Sequence, residues 1–279
     1  MTDRVDMDPQ QFYDEHGEGE WERLNANPVA RLEFENTMDY LAEHLPASDT
    51  SDPVRVLDAG GGPGRYAVCL GERSYEVEHC DLSHKQVSIA KEKVSEKDVS
   101  DFVTCQQVDV RDLPFADDAF DAVCCLGGVL SHVLDPEERL GAIRELRRVA
   151  KPDAPVFVAV IGRLSSIRFG LKHGERIGLL AHLAETGDYT ENAVRELANG
   201  EGWAECHFFR ADEFESELEA GGLAVETLVG LEGPASQLQD ELADLDGDEM
   251  ADVREMVREL REDRSVVDTS EHMLAVCRA

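Results

Sequence analysis

Three features of this sequence predict a doubly wound α/β fold, a mostly parallel sheet with helices on both faces. The stretch Val54–Leu70, VRVLDAGGGPGRYAVCL, passes from a short apolar run through a glycine-rich turn into a helical segment. Apolar runs of strand length then alternate with stretches of helical spacing along the chain, the pattern of repeated βαβ units. The run Ala119–Leu126 is hydrophobic throughout, as expected of a central parallel strand covered on both faces. At 279 residues the chain is long enough for one large α/β domain or two small ones.

Taken in order, residues 1–27 are polar, with Phe12, Tyr13, Trp21 and Leu24 as scattered anchors. Asn27-Pro28 starts a helix carrying Leu32, Met38, Leu41 and Leu45, and Pro46 ends it; Ala47–Pro53 links it to the first strand. Val54, Val56 and Leu57 form that strand, Asp58 follows, and Gly60, Gly61, Gly62 and Gly64 surround Pro63 before the helix Tyr66–Leu70. Glycines let the backbone approach a ligand closely, and the helix start offers free N–H groups.

Two ligand classes fit this turn. Gly62-x-Gly64-x-x-Ala67 satisfies the dinucleotide spacing loosely, which admits an NAD(P)-dependent oxidoreductase. Asp58 argues otherwise, because a carboxylate beside the glycines repels a pyrophosphate and attracts an ammonium or sulfonium group.

The second strand is Tyr75–Cys80, closed by Asp81 about twenty residues beyond the glycines, the spacing of an acid that binds ribose hydroxyls. Ser83 can cap the helix His84–Lys97. A third strand, Phe102–Val108, ends at DVRDLPF, residues 109–115. After the fourth strand, Gly127-Gly128 opens a loop at its carboxyl end, where ligands bind in open α/β sheets. His132 follows on that loop and is the candidate base, since histidine titrates near neutrality and can take a proton from a nucleophile. The helix from Asp135-Pro136 to Ala150 leads through Lys151-Pro152-Asp153 to a fifth strand, Pro155–Ile161. Arg163–Arg210 is an insertion of mixed helical character, followed by the helix Asp212–Ala220, a strand Leu223–Leu231, an acidic helical insertion over 234–264 and a last strand, His272–Arg278.

Asp58-x-Gly60-x-Gly62-x-Gly64, the Asp81-Leu82-Ser83 end of the second strand, Asp109-x-x-x-Leu-Pro-Phe and RVAKPDAPVFVAVIG together resemble the motifs of class I S-adenosylmethionine (SAM) methyltransferases. The resemblance covers Asn27–Ile161 well and Asp212–Ala279 loosely. It implies a seven-stranded sheet in the order 3-2-1-4-5-7-6 with the last strand antiparallel, and methyl transfer from SAM, leaving S-adenosylhomocysteine. It implies cofactor contacts by Asp58, Gly60 and Gly62, by Asp81 and Leu82 toward the ribose, and by Asp109, Val110 and Leu126 around the adenine. In such enzymes an N-terminal segment folds over the cofactor, so 1–27 is expected to do so here, with Tyr13 and Trp21 on the site and Arg23 facing the methionine carboxylate. The domain proper then spans 28–279, with 163–210 as a lid and 234–264 as a second insertion. Asp153 stands where the family's turn usually has glycine. The family often needs no strong base, and the absence of an obvious catalytic acid or base keeps a non-catalytic SAM-binding protein as the alternative to an enzyme.

The formal charge of −33 repels nucleic acid and anionic membranes at ordinary salt, and a compact lid without a basic stripe along the chain leads to the expectation of a small-molecule acceptor. Sixty acidic residues, 27 basic ones with few lysines and 6% aromatic content resemble proteins of salt-in halophiles; an acidic mesophile protein is the other reading. The seven cysteines form no C-x-x-C, which argues for buried thiols in a reducing cytoplasm and against a zinc site. Cys124 and Cys125 should point to opposite faces of one strand. No signal peptide opens the sequence, and the longest apolar stretch, Pro155–Gly162, is too short to span a bilayer. A monomer or homodimer is expected.

Overall fold

The protein is described by a computed structural model over residues 7–48, 51, 53–198 and 202–279. The first six residues of the expected cofactor-covering segment, residues 49, 50 and 52 of the linker and residues 199–201 of the expected lid lie outside the described residues.

The helices are α1 Pro9–His16, α2 Gly19–Arg23, α3 Pro28–His44, α4 Arg65–Gly71, α5 His84–Glu96, α6 Pro136–Val149, α7 Arg163–His173, α8 Ile177–Thr186, α9 Glu191–Leu197, α10 Ala211–Ala220, α11 Gln239–Leu242, α12 Gly247–Leu260 and α13 Arg264–Val267. The strands are β1 Arg55–Ala59, β2 Glu76–Asp81, β3 Val103–Gln107, β4 Ala122–Cys125, β5 Pro155–Ile161, β6 Asp188–Tyr189, β7 Cys206–His207, β8 Ala224–Gly230 and β9 His272–Arg278. Seven of them form one sheet in the order β3-β2-β1-β4-β5-β9-β8. Counted within that sheet alone, this is the 3-2-1-4-5-7-6 order the motifs imply. The strands β1 to β5 pair in parallel, and β9 runs antiparallel to both β5 and β8.

Local chemistry sets the helix starts. Asn27 accepts from the Ala30 N–H, Ser83 from the Gln86 N–H, and Asp135 from the N–H groups of Glu137 and Glu138. Proline occupies the first turn after Asn27 and Asp135, where its missing N–H costs nothing. The same signal, Asp8-Pro9, opens α1, with Asp8 accepting from Gln11. That helix escapes a periodicity reading because none of its residues is buried. The two-residue ribbon β6–β7 is likewise too short to show a period.

Two apolar layers sandwich the sheet. One packs Leu57, Val123, Cys125 and Val158 against Leu146 and Phe214; the other packs Val56, Cys124 and Phe157 against Leu41 and Leu70. Cys124 and Cys125 thus enter opposite layers, as strand alternation requires. Truncating Leu57, which is fully buried, to alanine would cost about 2–5 kcal/mol. Asp153, in the place of the usual glycine, adopts φ 62°, a left-handed turn that aspartate tolerates better than most residues.

This topology places the carboxyl ends of β1, β2, β4 and β5 at one edge of the sheet. Because β9 is antiparallel, its first residue, His272, pairs with Ile161, the last of β5, and reaches the same edge. The candidate site residues gather there.

Candidate active site

The turn after β1 is held by backbone bonds. Gly60 and Gly61 both donate to the Cys80 carbonyl, at 2.8 and 3.1 Å, and Gly62 donates to Oδ2 of Asp81 at 2.9 Å. Oδ1 of Asp81 accepts from the Ser83 N–H at 2.8 Å. Each carboxylate oxygen keeps a further lone pair, so Asp81 can still accept two hydroxyl hydrogens. Burial raises its pKa, while the Ser83 N–H, the nearby His79 and the Gly62 N–H pull the other way. Gly60, Gly62, Asp81 and Leu82 all line a cavity of about 460 Å³.

Asp58 does not. It is fully buried beneath the turn, paired in register with His79 of β2, whose Nδ1 lies 3.1 Å from its Oδ2. A side chain added at Gly61 would meet that oxygen at 2.2 Å and the imidazole at 2.5 Å. The acid lies beneath the glycine turn, outside the cavity lining, with its Oδ1 buried and without a partner among the described residues. Strand alternation is the reason: Asp58 faces the same side as Val56, into the core.

Asp109, Val110 and Leu126 line the same cavity. Both oxygens of Asp109 accept from the Arg111 guanidinium, at 2.6–3.0 Å, and Arg111 also reaches Glu138. Burial opposes ionisation of Asp109, but these bonds and the Arg111 charge hold its carboxyl below the usual range.

The N-terminal helices close the cavity. The Gln86 amide donates to the carbonyls of Tyr13 and Gly17, and Asp14 accepts from the Ser83 hydroxyl and the Lys85 N–H. The Gln86 Oε1 is buried without a partner among the described residues, and Gln86 lines the cavity. Sequence reasoning missed this clamp, which depends on α1 being a helix. Tyr13 and Arg23 do line the cavity. Trp21 does not; it packs on the core, with the Arg65 guanidinium 5.1 Å from its ring centre.

Arg23 departs from its expected task. Its Nε donates to Glu20 at 2.6 Å, and both terminal nitrogens donate to Glu33, at 2.6 and 3.0 Å. It is committed to protein carboxylates and is no open anion clamp. Arg65, on the first turn of α4, lines the cavity and forms no ion pair among the described residues. Its Nη1 donates to the Trp21 carbonyl at 3.3 Å and its guanidinium stacks on Trp21 and Phe34, but no carboxylate neutralises it among the described residues; sequence reasoning missed it.

His132 lies on the loop after β4, within the cavity wall. Its Nδ1 donates to the Glu205 carbonyl at 2.8 Å, which leaves Nε2 as acceptor for the Tyr13 hydroxyl at 3.0 Å. Burial lowers its pKa, against the Glu205 carbonyl and the Glu20 charge, so the ring is neutral near pH 7. Burial raises the Tyr13 pKa, so its hydroxyl keeps its proton. His132 therefore meets the cavity through Tyr13 rather than with a bare nitrogen.

A second cavity, of about 620 Å³, adjoins the first. Both are lined by Tyr13, Glu20, Arg23 and Gly127. Its apolar wall comes largely from the 163–210 insertion, including Phe169, Leu180, Leu183, Tyr189, Trp203 and Phe208. Its polar wall holds Glu33, Glu232, Glu271 and His272.

Among the described residues no helix is long and apolar enough to cross a membrane. Residues 56–153 match the sequence model of a family described as a methyltransferase domain. The chain is 29% identical over 152 residues to the methyltransferase GfsG of Streptomyces halstedii, covering 54% of this chain and 52% of that protein. It is 32% identical over 139 residues to the tRNA 5-carboxymethoxyuridine methyltransferase of Escherichia coli K12, covering 49% of this chain and 46% of that one. The chain thus spans about half the length of these curated relatives. Among solved structures, a SAM-dependent methyltransferase of Methanosarcina mazei superposes with a TM-score of 0.60 at 16% identity, over 86% of this chain and 96% of that one. With the sheet order above, these likenesses identify the architecture as the class I, Rossmann-like fold of SAM-dependent methyltransferases.

Proposed function

We propose that this protein transfers a methyl group from SAM to a small-molecule acceptor. The observation that carries the reading is the meeting of two cavities at Tyr13, Arg23 and Gly127: one framed by Gly60, Gly62, Asp81 and Asp109, the other largely apolar. Two separate chambers with a shared throat suit a reaction between two bound molecules. The second falls within the usual size range of small-molecule sites, about 300–1,000 Å³.

The first cavity fits the cofactor on its own chemistry. Asp81 keeps lone pairs for ribose hydroxyls, Gln86 presents a buried acceptor without a partner, and a position beyond Gly62 is open, with no atom within 4 Å of an added Cβ. Asp81 would hold the ribose, with Leu82 beside it. The Asp109 carboxylate and the Val110 N–H would meet the adenine, against Leu126. Arg65 would face the methionine carboxylate in place of Arg23. Asp58 and Gly60 would shape the turn.

SAM, when bound, supplies a methyl group activated on a sulfonium. The chain's own residues then have mainly to align the acceptor and exclude water. The helices α1 and α2 and the 163–210 insertion do the excluding, as cover and lid. Tyr13, at the throat, would orient the acceptor, and His132 would hold the Tyr13 hydroxyl in place and receive a proton through it. The acidic, lysine-poor composition supports a halophile source, and seven cysteines without a C-x-x-C support a reducing cytoplasm.

Calorimetry in molar KCl tests the cofactor: S-adenosylhomocysteine should bind and NAD should not. Labelled SAM with a metabolite extract then tests transfer. NAD binding without S-adenosylhomocysteine binding would overturn the reading.

A further inference from the structure

The second cavity has an unequal charge balance, and two of the acids behind it are buried. Glu33 and Glu232 are 3% and 1% exposed, so they are not the solvated acids of an acidic surface. Arg23 pairs with Glu33 and Glu20. Nδ1 of His272 donates to Glu232 at 2.6 Å and lies 3.6 Å from Glu33. Glu232 is further satisfied by the Ser270 hydroxyl and the His272 N–H. These groups compensate one another in a chain leading from the throat at Arg23 to Glu232.

Glu271 is left over. Its Oε1 accepts from the Gln237 N–H at 2.5 Å, and its Oε2 accepts nothing among the described residues. No lysine lines this cavity among the described residues, and Arg23, its lining arginine, is already committed. The other walls are mostly the aromatic and aliphatic side chains of the insertion, joined by Ser165, Ser166, Gln237, Gln239 and Glu175, the last solvated where Glu271 is largely covered. An anionic ligand would find no uncommitted arginine or lysine, while a cation would find a carboxylate with a spare oxygen.

We infer that the second cavity takes an apolar molecule carrying a protonated amine, which Glu271 receives while the apolar body packs on Trp203, Phe208 and the α8 leucines. The inference rests on the methyltransferase reading, in which this chamber holds the acceptor. The amine is the anchor. The atom to be methylated lies elsewhere on the molecule, toward Tyr13, because a protonated nitrogen has no free electron pair with which to attack. Burial raises the Glu271 pKa, with the Glu232 and Glu33 charges adding to it and the His272 charge and Gln237 N–H opposing, as suits a carboxylate that a bound cation would further relieve.

The test uses the full chain saturated with S-adenosylhomocysteine, titrated with 2-phenylethylamine, 3-phenylpropanoate and 3-phenylpropanol by calorimetry at fixed KCl and pH. The amine should bind at least tenfold tighter than either of the others. Glu271→Gln should remove that preference, and Glu271→Asp should keep part of it, with S-adenosylhomocysteine affinity unchanged within twofold in both. Equal or tighter binding of the carboxylate or the alcohol overturns the inference, as does a preference that survives Glu271→Gln. Failure of S-adenosylhomocysteine itself to bind is read in a separate titration and counts against the methyltransferase reading instead.

Discussion

The Tyr13 hydroxyl donates to Nε2 of His132 at 3.0 Å, joining side chains 119 positions apart at the throat between the two cavities. The Glu205 carbonyl fixes the other imidazole nitrogen as a donor, so the pair is a directed chain from Tyr13 to His132 to the insertion. If that chain orients the acceptor or carries a proton, Tyr13→Phe should lower methyl transfer at least about tenfold, less than the roughly 10²–10⁴ typical of acid–base groups because the tyrosine only relays to His132. S-adenosylhomocysteine affinity should stay within twofold. Single-turnover rates with the acceptor found by the extract screen check it; an unchanged rate would leave the pair a mere fastener of the N-terminal helices.

Asp81 serves two masters, the backbone and the expected ribose. Asp81→Ala should weaken S-adenosylhomocysteine binding by about 1–3 kcal/mol, the usual cost of losing a charged acceptor. It should also lower the melting temperature, because the N–H groups of Gly62 and Ser83 lose their partner. Calorimetry and thermal unfolding separate the two losses. Unchanged affinity in a folded variant would reduce Asp81 to a cap.

Gly61 should tolerate no side chain. Its φ is not the obstacle; the buried Asp58 and His79 side chains are, at 2.2 and 2.5 Å from an added Cβ. Gly61→Ala should cost about 3 kcal/mol or more, the upper end for overpacking a closed site, whereas Gly141→Ala, with nothing within 4 Å on α6, should be neutral or stabilising. Chemical denaturation of both variants decides it.

His272 predicts a pH limit on the alkaline side. Burial disfavours its charged form, but Glu33 and Glu232 outweigh that and raise its pKa from 6.5 to about 9. A raised folded pKa contributes stability that is fully present below about 6.5 and is lost as pH rises through about 9. A shift of that size is worth on the order of 3 kcal/mol. Glu33 supplies the acid limb: burial opposes its charge, but Arg23 and His272 hold its carboxyl below the usual range, so its contribution fades as pH falls through that lowered value. Melting temperature followed from pH 6 to 10 should fall at the alkaline end, and His272→Gln should flatten that fall. An equal fall in the variant would assign it to other groups.

The sheet was legible because it is written in periods and punctuation. Strand β5, Pro155–Ile161, and strand β9, His272–Arg278, have the bounds the apolar runs suggest, and capping residues announce α3, α5 and α6. Asp81 reaches the cavity because it ends β2, and Asp109 because it follows β3 by two residues, both at the edge where the sheet opens. What stayed hidden is what depends on partners distant in sequence. Whether Asp58 faces a ligand or His79 is decided by strand phase and by a neighbour 21 positions on. Whether Arg23 is free depends on Glu33, and whether His132 is bare depends on Tyr13. The polar wall of the second cavity draws Glu33, Glu232 and Glu271 from distant parts of the chain, and no local motif could join them.

Salt should stabilise this protein. Sixty acidic side chains stand against 27 basic ones, and most of the acids are not buried. Repulsion among exposed charges reaches further as the Debye length grows from about 3 Å at 1 M to about 30 Å at 0.01 M. Ion pairs offset part of it, but pairs such as Arg264 with Asp212 or Arg258 with Asp39 are exposed, and such pairs are worth about 0–1 kcal/mol and weaken in salt themselves. The two effects have opposite signs, and the excess of acids decides between them, because 33 negative charges have no cation to pair with. Against a typical stability of about 5–15 kcal/mol, that repulsion is large enough to matter. The melting temperature should therefore climb across a KCl series from millimolar to molar at fixed pH, with sulfate salts excluded so that screening rather than surface exclusion is measured. A flat or falling curve would mean that the acidic surface is compensated in some other way, such as a basic partner covering it, and the halophile reading would give way to a search for that partner.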